Sequence, residues 1–233
     1  MLFGKFTSQI YAIKASSAYQ KGNIEETIAF MDKAYKTGRA KAHVVTTYGY
    51  VLLKYGRPEE AKKIFDEQLS SVKLSTNDRY AVKSNLALAL WKKDQLDEAI
   101  SLFEEMLPHY KNTNVYGSLG FLYILMGDLE KALNFNLEAY DYNNTGGVIM
   151  DNLGHTYFLM GDLEKADEIF KKLLQLNPKF PEAYYDYALV LEKMGNKEKC
   201  IEKLRNALLY KPNYLSAITT EDIESKLAEM EKE

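Results

Sequence analysis

The stretch Gly127-Asp128-Leu129-Glu130-Lys131-Ala132 returns 34 residues later as Gly161-Asp162-Leu163-Glu164-Lys165-Ala166. Looser copies are Gly22-Asn23-Ile24-Glu25-Glu26-Thr27, Gly56-Arg57-Pro58-Glu59-Glu60-Ala61, Asp94-Gln95-Leu96-Asp97-Glu98-Ala99 and Gly195-Asn196-Lys197-Glu198-Lys199-Cys200. Their first residues stand at 22, 56, 94, 127, 161 and 195, so the steps between them are 34, 38, 33, 34 and 34. A period in this range marks a stacked array in which each repeat is one supersecondary unit.

Each phrase reads as the junction of a helical hairpin. Its glycine ends one helix, where a left-handed backbone costs it little. Asn23, Asp128, Asp162 and Asn196 follow at the N-cap of the next helix, with Glu just inside the positive end of the helix dipole. Arg57-Pro58 uses proline at the first helical position instead. The small residue closing the phrase (Ala61, Ala99, Ala132, Ala166 or Cys200) lets two helices approach closely. Cys200 therefore reads as a packing residue, with no neighbouring His or basic pair to activate it.

Outward from the junction the chain resembles the tetratricopeptide repeat, whose pattern is W-x2-L-G-x2-Y, then A-x3-F, then P. The first part stands as Tyr116-x2-Leu119-Gly120-x2-Tyr123 and Met150-x2-Leu153-Gly154-x2-Tyr157. Val45-x2-Tyr48-Gly49-x2-Leu52 and Lys83-x2-Leu86-Ala87-x2-Leu90 are looser copies. The second part stands as Ala61-x3-Phe65, Ala99-x3-Phe103 and Ala166-x3-Phe170, and Pro178 and Pro212 fill the terminal slot of the last two repeats. The resemblance implies an all-α, right-handed superhelical solenoid of antiparallel helix pairs. Six repeats are expected at about 8–41, 42–75, 80–112, 113–146, 147–180 and 181–214, forming one solenoid over 1–214. The first is the most degenerate, with Lys14 and Ala18 in the Leu and Tyr slots. Residues 215–233 carry Ile223, Leu227 and Met230 at helical spacing and read as a capping helix.

Two irregularities bear on shape. The step of 38 from Gly56 to Asp94 adds about one helical turn, expected in the second pair's outer helix or the loop after it. Asn143-Asn144-Thr145-Gly146-Gly147 is either a hinge or an ordinary turn needing positive φ.

Composition narrows the function. The 233 residues carry a net charge of −3, which argues against a nucleic-acid binder, since phosphate neutralisation needs a basic face. No apolar run approaches the length of a membrane span. With one cysteine and no secretory leader at Met1-Leu2-Phe3-Gly4-Lys5, the expected setting is cytoplasmic. Phosphate-binding, dinucleotide, zinc-protease and serine-hydrolase motifs are absent, so neither an enzyme nor a cofactor or metal is expected. Asp151 and His155 stand four apart and can share a helix face, but no nucleophile or further ligand accompanies them. Lys33, Lys36, Arg39 and Lys41 read either as an acceptor for an acidic partner or as cations at a helix C-terminus.

In tetratricopeptide proteins the first helix of each pair lines the concave surface through repeat positions 2, 5, 9 and 12. The Lys–Asn pair that grips acidic chaperone tails in this family has no counterpart at positions 5 and 9, which read Thr46/Tyr50, Ser84/Leu88, Gly117/Phe121 and Asp151/His155 in the middle repeats. Positions 9 and 12 of these repeats are mostly aromatic and apolar instead: Tyr50, Leu53, Leu88, Trp91, Phe121, Ile124, His155 and Phe158. The resemblance thus implies a scaffold or adaptor whose groove binds an amphipathic or apolar protein segment. The competing reading is that superhelical curvature buries positions 9 and 12 in the core. Self-assembly into a homo-oligomer and sensing of a short signalling peptide are the functional alternatives.

Overall fold

The structure, a computed structural model, describes residues 2–232, with side chains from Phe6 onward. Among them are thirteen α-helices and no strand. They are α1 (Leu2–Gln20), α2 (Ile24–Lys36), α3 (Ala42–Lys54), α4 (Pro58–Leu69), α5 (Thr76–Trp91), α6 (Leu96–Met106), α7 (Thr113–Met126), α8 (Leu129–Tyr142), α9 (Gly147–Leu159), α10 (Leu163–Gln175), α11 (Glu182–Lys193), α12 (Lys197–Ala207) and α13 (Thr220–Lys232). The chain forms two compact units, Met1–Met106 and Leu107–Glu233.

The junction phrase sets the hairpins. Gly161 has φ +82°, and its N–H donates to Phe158 O at 3.0 Å while Asp162 N–H reaches Tyr157 O at 2.9 Å, closing α9 by a Schellman motif. Asp162 then caps α10 by accepting from Lys165 N at 3.2 Å, and Asp128 and Asn196 do the same for α8 and α12. Asp94 holds the same place without being glycine: its φ is +61°, and Asp94 and Gln95 make the equivalent bonds to Trp91 O and Leu90 O. Asn23 departs from the expectation. Its side chain makes no cap bond, and Nδ2 instead donates to Glu26 Oε2 at 3.5 Å.

In the first unit α1–α2, α3–α4 and α5–α6 pack as pairs, with α2 on α3, α4 on α5 and α3 on α5. In the second, α7–α8, α9–α10 and α11–α12 are the pairs, joined by α8 on α9 and α10 on α11, with α13 against α12. Ala61, Ala99, Ala132, Ala166 and Cys200 are all fully buried, as close helix approach requires, and burial pushes the Cys200 thiol up to about 11. Phe65, Phe103 and Phe170 are buried as well, each contributing roughly 1.5–3 kcal/mol by removal from water. Ile223 and Met230 of α13 join the core that contains Leu191, Cys200 and Leu204.

The extra turn implied by the 38-residue step lies in neither the outer helix nor the following loop. It lengthens α5, which has 16 residues against 13 in α3. Ser75 caps α5 early by accepting from Asp78 N, and Arg79 donates to Leu69 O at 2.8 Å and Ser71 O at 3.2 Å, tying the added turn to the end of α4. At Asn143–Gly147, Gly146 and Gly147 do not have positive φ. Asn143 organises that turn by accepting from Thr145 N at 3.1 Å and donating to Thr113 Oγ1 at 2.9 Å. Steric room explains the glycines: a Cβ on Gly147 would lie 3.3 Å from Phe180 Cε1.

Candidate functional site

The residues expected to form a binding face lie on the first helix of each pair, and their exposure differs from position to position. In the first unit Tyr50 on α3 is 37% exposed, Leu88 and Trp91 on α5 are partly exposed, and Leu53 is fully buried. α3 is packed against α2, α4 and α5, and this encloses Leu53. Leu53 is therefore a core residue and offers nothing to a ligand. One turn beyond Tyr50, Lys54 Nζ donates to Tyr19 OH at 3.2 Å and stands 5.9 Å from the Tyr19 ring centre and 6.0 Å from that of Tyr55. Burial pushes Lys54 down, but Tyr19, Tyr50 and Tyr55 override it and leave the ammonium above its ordinary value. Tyr19, Tyr50 and Tyr55, all exposed, thus surround one cation. Lys92 lies 4.2 Å over the Trp91 ring.

In the second unit Phe121 and Phe158 are partly exposed, while Ile124 on α7 is buried and also belongs to the core. His155 and Phe158 stand together, with ring centres 6.1 Å apart. The Asp151–His155 pair has company that sequence spacing did not suggest. Asp186 on α11 brings Oδ2 within 3.0 Å of His155 Nδ1, and Glu182, one turn earlier on α11, acts with Asp186 on Asp151. Burial raises Asp151 well above the usual carboxylate range, and the Asp186 and Glu182 charges raise it further. Burial pushes His155 down, and Asp186 more than reverses this, so the imidazole ends above its ordinary value. Glu182 is raised chiefly by burial, although hydrogen bonds from Ser216 and the Ala217 backbone oppose the shift.

A second feature was missed. Met126, Met160 and Met194, each just before a junction glycine, are exposed, as are Leu125 and Leu159. The 34-residue spacing of these methionines was a signal present in the sequence. The basic cluster near the first inter-pair turn is largely engaged locally: Lys36 pairs with Asp32 at 2.7 Å and Lys33 lies 5.4 Å from the Phe30 ring centre. Among the described residues no group of three or more His, Cys, Asp or Glu is placed to hold a metal, and no helix is long and apolar enough to cross a membrane.

These hairpins match family models of the tetratricopeptide repeat at residues 154–195 and 181–214, and a PPR repeat model matches 84–107. Residues 154–214 thus match tetratricopeptide repeats, and the thirteen helices of the described residues fit an array of them. The chain is 31% identical over 198 residues to the BBSome complex member BBS4 of Bos taurus, covering 85% of this chain and 31% of that protein. The chain thus spans about a third of the length of this curated relative. Among solved structures, a tetratricopeptide protein of Thermus thermophilus superposes with a TM-score of 0.67 at 20% identity, covering 83% of this chain and 100% of that one. The Cut9–Hcn1 hetero-tetramer of the APC/C gives a TM-score of 0.74 at 17% identity, over 96% of this chain and 42% of that one.

Proposed function

We propose that this chain is a non-enzymatic scaffold that binds a protein segment through aromatic side chains that the first helices of the pairs carry within each unit. The tetratricopeptide fold in general serves protein interaction. The observation that carries the finer reading is the exposure of Tyr50 beside Tyr19, Tyr55 and Lys54, with Trp91 partly exposed in the same unit. Tyrosine and tryptophan offer large amphipathic contact area with few rotatable bonds, which is why binding energy concentrates on them. Phe121 and Phe158 supply equivalent positions in the second unit. The bovine relative's place in a multiprotein complex fits this role. The lone, buried Cys200 suits a cytoplasmic setting.

The test is comparative capture from the protein's own cell extract, using the wild type and a Tyr50→Ala/Trp91→Ala variant checked for folding by circular dichroism. Loss of two anchor residues should reduce capture of a specific partner at least about tenfold. Equal capture by both proteins would move the site off this face. Self-assembly is the second reading, favoured by Phe6, Ile10 and Ile13, which are exposed along one side of α1. Mass measured against concentration distinguishes it.

A further inference from the structure

Inside the second unit His155 on α9 meets Asp186 on α11 at 3.0 Å, and one turn away on the same two helices stand Asp151 and Glu182, whose charges act on one another. Asp151 is only 7% exposed, yet its Oδ1 has no hydrogen-bond partner. A buried carboxylate oxygen without a donor is costly, and native proteins seldom retain one without use. Among the described residues, none of the three carboxylates is paired with a lysine or arginine; His155 is the sole cationic neighbour that Asp186 has. The cluster is not sealed. The side chains of His155 and Asp186 are 26% and 12% exposed, so it opens to solvent beside Phe158, where the exposed Leu159 and Met160 follow on the same chain.

Three carboxyl groups stand against one imidazole, so acceptors are in excess, and the surplus calls for a ligand that only donates. Arginine carries five N–H donors and no acceptor, and lysine three donors and no acceptor. We propose that the Asp151–Glu182–Asp186 pocket receives the guanidinium or ammonium group of an arginine or lysine on a bound polypeptide, whose apolar neighbours lie along Phe158, Leu159 and Met160. The polypeptide in this statement rests on the scaffold reading above; the cation pocket itself does not.

The test titrates isotopically labelled full-length chain with N-acetyl-arginine N-methylamide, its lysine analogue and its neutral citrulline analogue, following backbone amides by NMR. The expected result is saturable shifts at amides around Asp151, His155, Glu182 and Asp186 for the cationic probes. Citrulline should bind at least tenfold more weakly, and a Glu182→Gln/Asp186→Asn variant should lose the arginine response by a similar factor. Equal shifts with citrulline, shifts that grow linearly without saturating, or shifts confined to other surfaces would each overturn the proposal. The citrulline comparison uses unaltered protein and so stands even where the variant fails to fold. Because no natural partner is involved, this titration can fail while the aromatic-face test succeeds, and the reverse.

Discussion

Phe170 lies so close to Gly154 that a Cβ on the glycine would sit 2.8 Å from the phenylalanine Cε2. The repeat's Leu-Gly and A-x3-F signatures are thus the two sides of one contact, between α9 and α10. Gly49 meets Phe65 in the same way in the first unit.

Gly154→Ala is therefore expected to destabilise the second unit despite alanine's better helix propensity. The propensity gain of about 1 kcal/mol is outweighed by overpacking of about 1–3 kcal/mol. A urea titration should show a lower midpoint, and adding Phe170→Leu to the variant should recover part of the loss.

The junctions separate two classes of cap. Asp128→Ala and Asp162→Ala each remove a side-chain acceptor from a helix N-terminus and should cost roughly 0.5–2 kcal/mol. Asn23→Ala removes no such bond and should cost at most a few tenths of that. Thermal unfolding of the three variants side by side checks the contrast.

Asp94 holds φ +61° at a place where the other five junctions have glycine. Asp94→Gly relieves a left-handed conformation costing about 1–2 kcal/mol for an ordinary side chain, against about 0.4–1 kcal/mol of added unfolded-state entropy. The expected outcome is a small gain in stability, whereas Gly127→Ala, at φ +83°, should lose about 1–2 kcal/mol.

Asp151 makes stability depend on pH. Its folded value is raised above the ordinary 3.8 by burial and by the Asp186 and Glu182 charges, so the folded state binds its proton more tightly than the unfolded chain does. The associated stability is fully present below about pH 4 and is lost as pH rises through the folded value. Asp151→Asn should then raise the melting temperature at pH 7–8, with a gain that shrinks toward pH 4. A gain independent of pH would contradict the assignment.

What could be read in advance followed from local chemistry. The junction phrase repeats because left-handed backbone, cap and close helix approach are each satisfied within a few residues, as at Gly161, Asp162 and Ala166. Exposure along the first helices is a different kind of quantity, because it depends on which neighbour lies over each position. Tyr50 stays exposed while Leu53, one turn on, is buried, and Ile124 is buried while Leu125 and Met126 beside it are exposed. The Asp151–Asp186 approach needs two helices brought together from adjacent pairs, which spacing within one helix does not reveal. The added turn in α5 was likewise ambiguous, since a longer step does not say which element absorbs it.

The central claim, binding along the first helices, is tested most directly by photo-crosslinking in cells. Benzoylphenylalanine would replace Tyr50 or Phe158 on this face, and Lys63 on α4 or Lys171 on α10 as controls on the second helices of their pairs. A discrete crosslinked protein is expected from positions 50 and 158, and none from 63 and 171. Crosslinks arising only from 63 or 171 would contradict the account and place the partner on the opposite set of helices.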